Sequence, residues 1–176
     1  CNSGYIGKYS NLKHSEFYGI DFNAKALKMA DDFYTDTFQV NLNFSLELPW
    51  NHKFDCIIFG DILEHVLEPE RILQEFINTQ LEKDGIVILS LPNVANYAVR
   101  MRLLLGKFDY TESGILDKTH LHFYTFKTAK LLIEKAGLVI EEHKFGASIL
   151  GPFLKFFPFL TNLLATSHRS EEHTSE

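Results

Sequence analysis

Sulfur and positive charge are both scarce in this chain. Among 176 residues there are two cysteines, Cys1 and Cys56. They make no disulfide framework and fit a reducing compartment. Lys and Arg total 17 against 23 Asp and Glu, a formal net charge of −6. A nucleic-acid partner is not expected, because phosphate binding needs a basic face. No apolar run reaches the ~20 residues of a membrane span. The richest stretch, 149–165, is interrupted by Pro152, Lys155, Pro158 and Asn162. No signal peptide, internal repeat or linker is visible. What these absences leave is a single domain expected to be cytoplasmic, with 45% hydrophobic residues and enough length for a real core.

What is present is concentrated at the front. The chain opens on Cys1-Asn2-Ser3-Gly4-Tyr5-Ile6-Gly7, and Asp21 follows Gly4 by seventeen residues. Asp21 ends a short apolar run, Phe17-Tyr18-Gly19-Ile20. A small-residue turn, a helix and a strand tipped with a carboxylate form a nucleoside cradle. The small residues let backbone approach the ligand, and the carboxylate takes the ribose hydroxyls. A dinucleotide would add a pyrophosphate on helix N–H groups; a sulfonium nucleoside has no phosphate to hold.

Helical and strand patterns alternate along the rest, which predicts a parallel α/β sheet. Helices are expected over 5–12, 23–33, 69–81, 94–105 and 128–136. Strands are expected over 16–20, 38–42, 54–60, 86–91 and 138–143. Asn23 is an N-cap and Pro69 a first-turn residue, with Ile72, Leu73, Phe76 and Ile77 facing inward. Asp84-Gly85 reads as a turn, and Gly106 and Gly137 stop helices. The near-continuous apolar run 54–60 suits a strand covered on both faces. Residues 107–125 form a long polar and aromatic loop, and such loops are usually functional. The Phe-rich stretch 149–165 reads as a helical insert. The alternative is a lid over an apolar or lipid-linked acceptor, with membrane contact as the weaker form of that idea.

Asp61-Ile62-Leu63-Glu64-His65-Val66 follows directly on the apolar strand, with Pro69 just beyond. Ligands of open α/β sheets lie outside the carboxyl ends of strands, so this motif belongs beside the nucleoside. The plain alternative is a helix start with Glu64 and His65 solvated. With this motif added, the sequence resembles the class I S-adenosylmethionine-dependent methyltransferases. More narrowly, it resembles the subgroup near the ubiquinone-biosynthesis O-methyltransferases and sugar-tailoring methyltransferases. The matching pieces are Cys1-Asn2-Ser3-Gly4, Gly19-Ile20-Asp21, Phe54-Asp55, Asp61 to His65 with Pro69, Leu81 with Gly85, and Ser90-Leu91-Pro92-Asn93. Further on, Asp117-Lys118-Thr119-His120-Leu121-His122-Phe123-Tyr124-Thr125 and Ala136-Gly137-Leu138 match as well. The likeness covers about residues 1–145; the combination is specific, while no single piece is.

The resemblance implies a Rossmann-like, doubly wound, mostly parallel sheet with helices on both faces and a last strand running antiparallel. Residue 1 is Cys and stands in mid-motif, so the first, central strand is expected to lie outside the chain, and the last strand likewise. Arg169-Ser170-Glu171-Glu172-His173-Thr174-Ser175-Glu176 resembles a translated sequencing adapter. The methyltransferase domain is therefore read as 1–168 and 169–176 as an artefactual tail. A sheet missing its centre exposes strand edges, so the isolated polypeptide is expected to fold poorly and to bind cofactor weakly.

The resemblance also assigns roles. Asn2 and Gly4 pack on the methionine part of S-adenosylmethionine, Asp21 binds the ribose, and Phe22 lies against the adenine. Asn41 stands where the family usually has an Asp accepting from the adenine amino group, and its amide oxygen can still accept. Asn2 replaces a common Gly, a mild change because Asn tolerates a positive φ. Asp61 is placed near the cofactor's ammonium group. The acceptor is expected to be a small molecule or glycan precursor, methylated at oxygen. His120 is the first candidate base and His65 the second, since an imidazole suits proton removal near neutral pH. The alternate spacing of Asp117, His120 and His122 allows a reading as metal ligands, but no resident metal is expected. Two other functions compete: a methyltransferase-fold binding partner without catalysis, and an NAD-dependent Rossmann enzyme.

Overall fold

A computed structural model describes residues 1–10, 12, 14–147 and 161–169. The chain divides into two compact units, Cys1–His52 and Lys53–Glu176.

The first unit holds α1 (Tyr5–Tyr9), β1 (Tyr18–Asp21), α2 (Ala24–Ala30) and β2 (Asp36–Gln39). β1 and β2 pair in parallel, with Tyr18 opposite Asp36 and Asp21 opposite Gln39. The helix between them starts where the sequence predicts. The Asn23 side chain accepts from the Lys25 and Ala26 N–H groups at 3.0 and 3.4 Å, satisfying donors that a helix start otherwise leaves open. Leu27 and Ala30 turn inward and are buried. The irregular stretch around Trp50 is fastened by its indole N–H, which donates to Asp36 Oδ2 at 2.7 Å.

The second unit holds β3 (Phe54–Gly60), α3 (Pro69–Thr79), β4 (Leu81–Leu91), α4 (Tyr97–Leu104), α5 (Phe126–Lys135), β5 (Leu138–Ala147) and β6 (Thr161–Arg169). Its sheet has the order β3-β4-β6-β5. β3 and β4 are parallel and joined through α3. Ile72, Leu73, Phe76 and Ile77 of α3 are buried, as the sequence predicts, and Phe76 meets Phe59 edge-on at 5.5 Å. α5 is closed by a capping box between Thr125 and Thr128, and buries Ala129, Leu132 and Ile133.

Five expectations are corrected. The final antiparallel strand, placed outside the chain by the sequence reading, is present as β6. Its backbone pairs with β4 (Ile86 opposite His168) and with β5 (Leu138 opposite Arg169). It satisfies backbone groups on both neighbours that would otherwise stand open. Residues 161–165, read as part of a helical insert, therefore belong to a strand, while 148–160 and the tail 170–176 lie outside the described residues. The turn at Asp84-Gly85 is instead a bulge inside β4: Phe54 pairs with Leu81, and Cys56 next with Ile86. A Cβ on Gly85 would meet Leu81 Cγ at 2.8 Å, so the bulge needs glycine. Burial in β3 falls on Phe59, while Ile58 is 40% exposed. Packing against α3 closes one side of that strand, so it is not covered on both faces. Finally, α4 starts later than predicted. Asn93 and Asn96 bond the N–H groups of Ala95 and Ala98, each at 2.9 Å, and so hold the preceding backbone in turns.

Candidate functional site

In the first unit the predicted nucleoside residues converge on Asp21. Its Oδ2 accepts from the Asn2 N–H at 2.8 Å, and its Oδ1 from the Asn23 N–H at 2.9 Å. Burial pushes the carboxyl up, but the N–H groups of Asn23 and Asn2 lower it, and Asp21 lies below its usual range. An ionised carboxylate has about four acceptor directions, so capacity for a hydroxyl donor remains.

The turn before α1 is left-handed at two places, Asn2 with φ 50° and Gly4 with φ 80°. Gly4 is also tightly walled. A Cβ there would lie 3.0 Å from Ala30 Cα and 3.2 Å from a Phe33 ring carbon. The turn is thus pressed against α2 and the Phe33 ring, and both the space and the positive φ call for glycine there. Phe22, beside Asp21, is 71% exposed and offers an open ring face. Asn41 lines a hollow of about 460 Å³ with Phe38, Val40, Phe44, Leu48 and Pro49. Its side-chain oxygen already accepts from the Asn43 N–H at 3.0 Å.

In the second unit, Asp61 directly follows β3 in a left-handed conformation, φ 51°. Ser90 Oγ donates to its Oδ1 at 2.8 Å, and its own N–H donates to the Ser90 carbonyl at 3.2 Å. The Asp61 and Ser90 motifs are thus one local structure. Three residues on, the short 3-10 turn Leu63–His65 folds inward. Glu64, solvated only in the plain alternative reading of this motif, is fully buried, and neither carboxylate oxygen has a hydrogen-bond partner. Burial pushes its carboxyl up to about 7, and the Asp61 charge adds to this.

The long loop closes over Glu64. The N–H groups of Leu121 and His122 donate to the Glu64 carbonyl at 2.8 and 3.1 Å. His120 thereby sits beside His65, with ring centroids 4.7 Å apart, and its Nε2 is 4.0 Å from Glu64 Oε1. The His120 side chain is only 5% exposed. His120 Nδ1 lies 3.2 Å from the Ile115 carbonyl, and His65 Nδ1 lies 3.3 Å from the Thr119 carbonyl and 3.1 Å from Thr119 Oγ1. Thr119 Oγ1 in turn donates to Asp117 Oδ1 at 2.7 Å. The Thr119 backbone and hydroxyl groups hold the Asp117 carboxyl below its usual range.

The two histidines chosen from sequence are brought together, and Glu64 and Thr119 are the members that sequence missed. The available signal was the position of Glu64 directly before His65 in the strand-end motif. The set Asp117, His120 and His122 is not assembled: Asp117 serves Thr119, and His122 Nε2 lies 3.3 Å from the Leu67 carbonyl. The residues that do gather as candidate metal ligands are Glu64, His65 and His120, with one ligand atom from each within 4.8 Å of the others.

A family model described as a methyltransferase domain matches residues 1–143. No curated protein sequence matches. Among solved structures, the chain is similar to an S-adenosylmethionine-dependent methyltransferase from Archaeoglobus fulgidus. There the TM-score is 0.68 at 13% identity, over 96% of this chain and 83% of that one. It is also similar to magnesium protoporphyrin IX methyltransferase from Synechocystis with bound S-adenosylhomocysteine. That match has a TM-score of 0.62 and 14% identity, over 96% of this chain and 68% of that one. The small RNA methyltransferase HEN1 matches with a TM-score of 0.68 and 18% identity, over all of this chain but 23% of that one. With most of its length matched by the family model, the chain belongs to the methyltransferase-domain family, whose cofactor is S-adenosylmethionine.

Proposed function

We propose that the protein transfers the methyl group of S-adenosylmethionine to an oxygen of a small molecule or glycan precursor in the cytoplasm. We place it near the ubiquinone-biosynthesis and sugar-tailoring methyltransferases, with the working domain over 1–168. The observation that carries the reading is the Asp21 carboxylate, held ionised at the tip of β1 beside the left-handed turn at Gly4. Asp21 takes the ribose hydroxyls, Asn2 and Gly4 face the methionine part, and Phe22 faces the adenine. Asn41 keeps a free lone pair on an oxygen already engaged by Asn43, which makes it a weaker adenine partner than Asp.

When bound, the cofactor supplies a sulfonium methyl whose C–S bond breaks as a C–O bond forms, the electron pair returning to sulfur. The protein mostly aligns the partners. The acceptor hydroxyl must also lose its proton, and His120 with His65 are the groups assigned to that loss. Their Nδ1 atoms face the carbonyls of Ile115 and Thr119, which leaves each Nε2 as the acceptor atom. A net charge of −6 stands against a nucleic-acid acceptor.

The test is labelled methyl transfer to a panel of hydroxyl-bearing small molecules and glycan precursors, with an RNA oligonucleotide alongside. Label is expected in a small hydroxyl acceptor, and His120→Ala is expected to lower turnover by about 10²–10⁴-fold. Label in RNA alone would overturn the acceptor class. Cofactor binding with no transfer to any acceptor would leave a binding protein.

A further inference from the structure

We infer that Phe108, Tyr110 and Phe123 form a platform beside His120, on which an uncharged hexopyranose ring of the acceptor lies with its apolar face down. The three rings touch one another. Phe108 meets Tyr110 at 5.9 Å and Phe123 at 5.8 Å between centroids, and Tyr110 meets Phe123 at 6.3 Å. They gather without leaving solvent: Tyr110 is 60% exposed and Phe108 38%. Apolar surface held together in water in this way marks a place where something else covers it.

The surrounding residues fix the platform. Asp109, between the first two rings in sequence, is held by Arg102 of α4, whose Nη2 donates to its Oδ2 at 2.9 Å. The Thr111 N–H donates to the Leu116 carbonyl at 2.8 Å, and the Lys118 N–H donates to the Thr111 carbonyl at 3.0 Å. Leu116 is buried and anchors that fold of the loop. Of the neighbours Phe123 and Tyr124, Tyr124 goes to the core and Phe123 stays half-buried against the other two rings. A platform set before the ligand arrives lowers the ordering cost of binding. One end of it is closed by His120, whose ring lies 6.0 Å from Phe123.

The chemistry around the rings selects the ligand. Asp109 is paired with Arg102, and Glu112 with Lys118 at 2.6 Å, so the charges flanking the rings are matched in sign. Such a surface suits an uncharged ring. It also covers only one side of what lies on it. A flat aromatic acceptor would keep its second apolar face in water. A hexopyranose has an apolar C–H face and a rim of hydroxyls, so one covered side is what it needs. The phenol of Tyr110 adds a polar group at the edge of the rings. The inference rests on the methyl-transfer reading in one respect: the stacked ring is the acceptor's, with a rim hydroxyl offered to His120. Phe108, Tyr110 and Phe123 are then binding residues that choose the acceptor.

The experiment is saturation-transfer NMR on the full chain, with and without S-adenosylhomocysteine. The probes are methyl glucopyranoside, galactopyranoside and mannopyranoside, with catechol alongside. Saturation of the protein's aromatic protons is expected to reach the C–H protons on one face of a pyranoside. Phe108→Ala and Tyr110→Ala are each expected to weaken that binding about 2–10-fold, while Tyr110→Phe retains it. Each variant is first shown to melt cooperatively. Tyr110→Ala removes the more exposed ring and keeps the test decisive if Phe108→Ala unfolds. Transfer to no pyranoside, transfer to catechol alone, or pyranoside affinity unchanged in the folded alanine variants overturns the inference. Calorimetry with S-adenosylhomocysteine on the same samples separates the two claims. Ring-dependent pyranoside binding without S-adenosylhomocysteine binding sinks the methyl-transfer reading alone, and the converse sinks the platform alone.

Discussion

At Gly4 a side chain meets two obstacles at once. The backbone is left-handed at φ 80°, and an added Cβ lies 3.0 Å from Ala30 Cα, a backbone atom that cannot swing away. Gly4→Ala is therefore expected to cost about 1–3 kcal/mol, read as a lower denaturant midpoint with an unchanged slope. An unchanged midpoint would mean that the turn is looser than described. Asp21 gives a pH prediction of definite sign. Its folded pKa lies below the ordinary 3.8. Its stabilisation is thus fully present above 3.8 and is lost as pH falls through the lower, folded value. The stability difference between wild type and Asp21→Asn should be flat above pH 4 and shrink below it. Thermal melts across that range check this, and a difference that grows on acidification contradicts it. Asp21 and Gly4 were legible in the sequence because their chemistry is set by local spacing. Glu64 was not: its burial is made by Leu121 and His122, far along the chain, closing over its carbonyl.

Helices with strong local signals were equally legible. Pro69 opens α3 and its four inward residues are the buried ones; Asn23 caps α2. Where the chain departs from expectation, long-range pairing decides. Residues 161–165 are read as the end of a helical insert, yet they belong to β6 because β4 and β5 offer backbone on both sides. The bulge at Gly85 looks like a turn locally and becomes part of β4 only through the neighbouring strand. At this scale the capping box of α5 matters to function, because Thr125 also ends the loop that carries His120. The Thr125 hydroxyl accepts from the Thr128 N–H at 3.2 Å, and the Thr128 hydroxyl accepts from the Thr125 N–H at 2.8 Å. Thr125→Ala is expected to cost about 1 kcal/mol, measured by chemical denaturation. Thr125→Ser should recover most of that loss; failure of Ser to do so would show that the cap is not the cause.

For the molecule as a whole, Asn2, Gly4, Asp21, Phe22 and Asn41 belong to Cys1–His52, and Asp61 with the imidazole and carboxylate cluster to Lys53–Glu176. Among the described residues no helix is long and apolar enough to cross a membrane. A ligand that binds only the folded chain stabilises it by about 2.7 kcal/mol at a hundred times its Kd. For a chain of 176 residues that corresponds to a rise in melting temperature of roughly 5–10 °C. S-adenosylhomocysteine should give that rise and NAD should not; a rise with NAD alone would move the chain to nicotinamide chemistry. The most direct measurement is a calorimetric titration of S-adenosylhomocysteine into the wild-type chain and into Asp21→Ala. One saturable site is expected in the wild type and its loss in the variant, with both proteins melting cooperatively, in place of the poor folding and weak binding expected from sequence, because β6 pairs with both β4 and β5. Absence of binding in a folded wild type, or equal binding in the two, would contradict it.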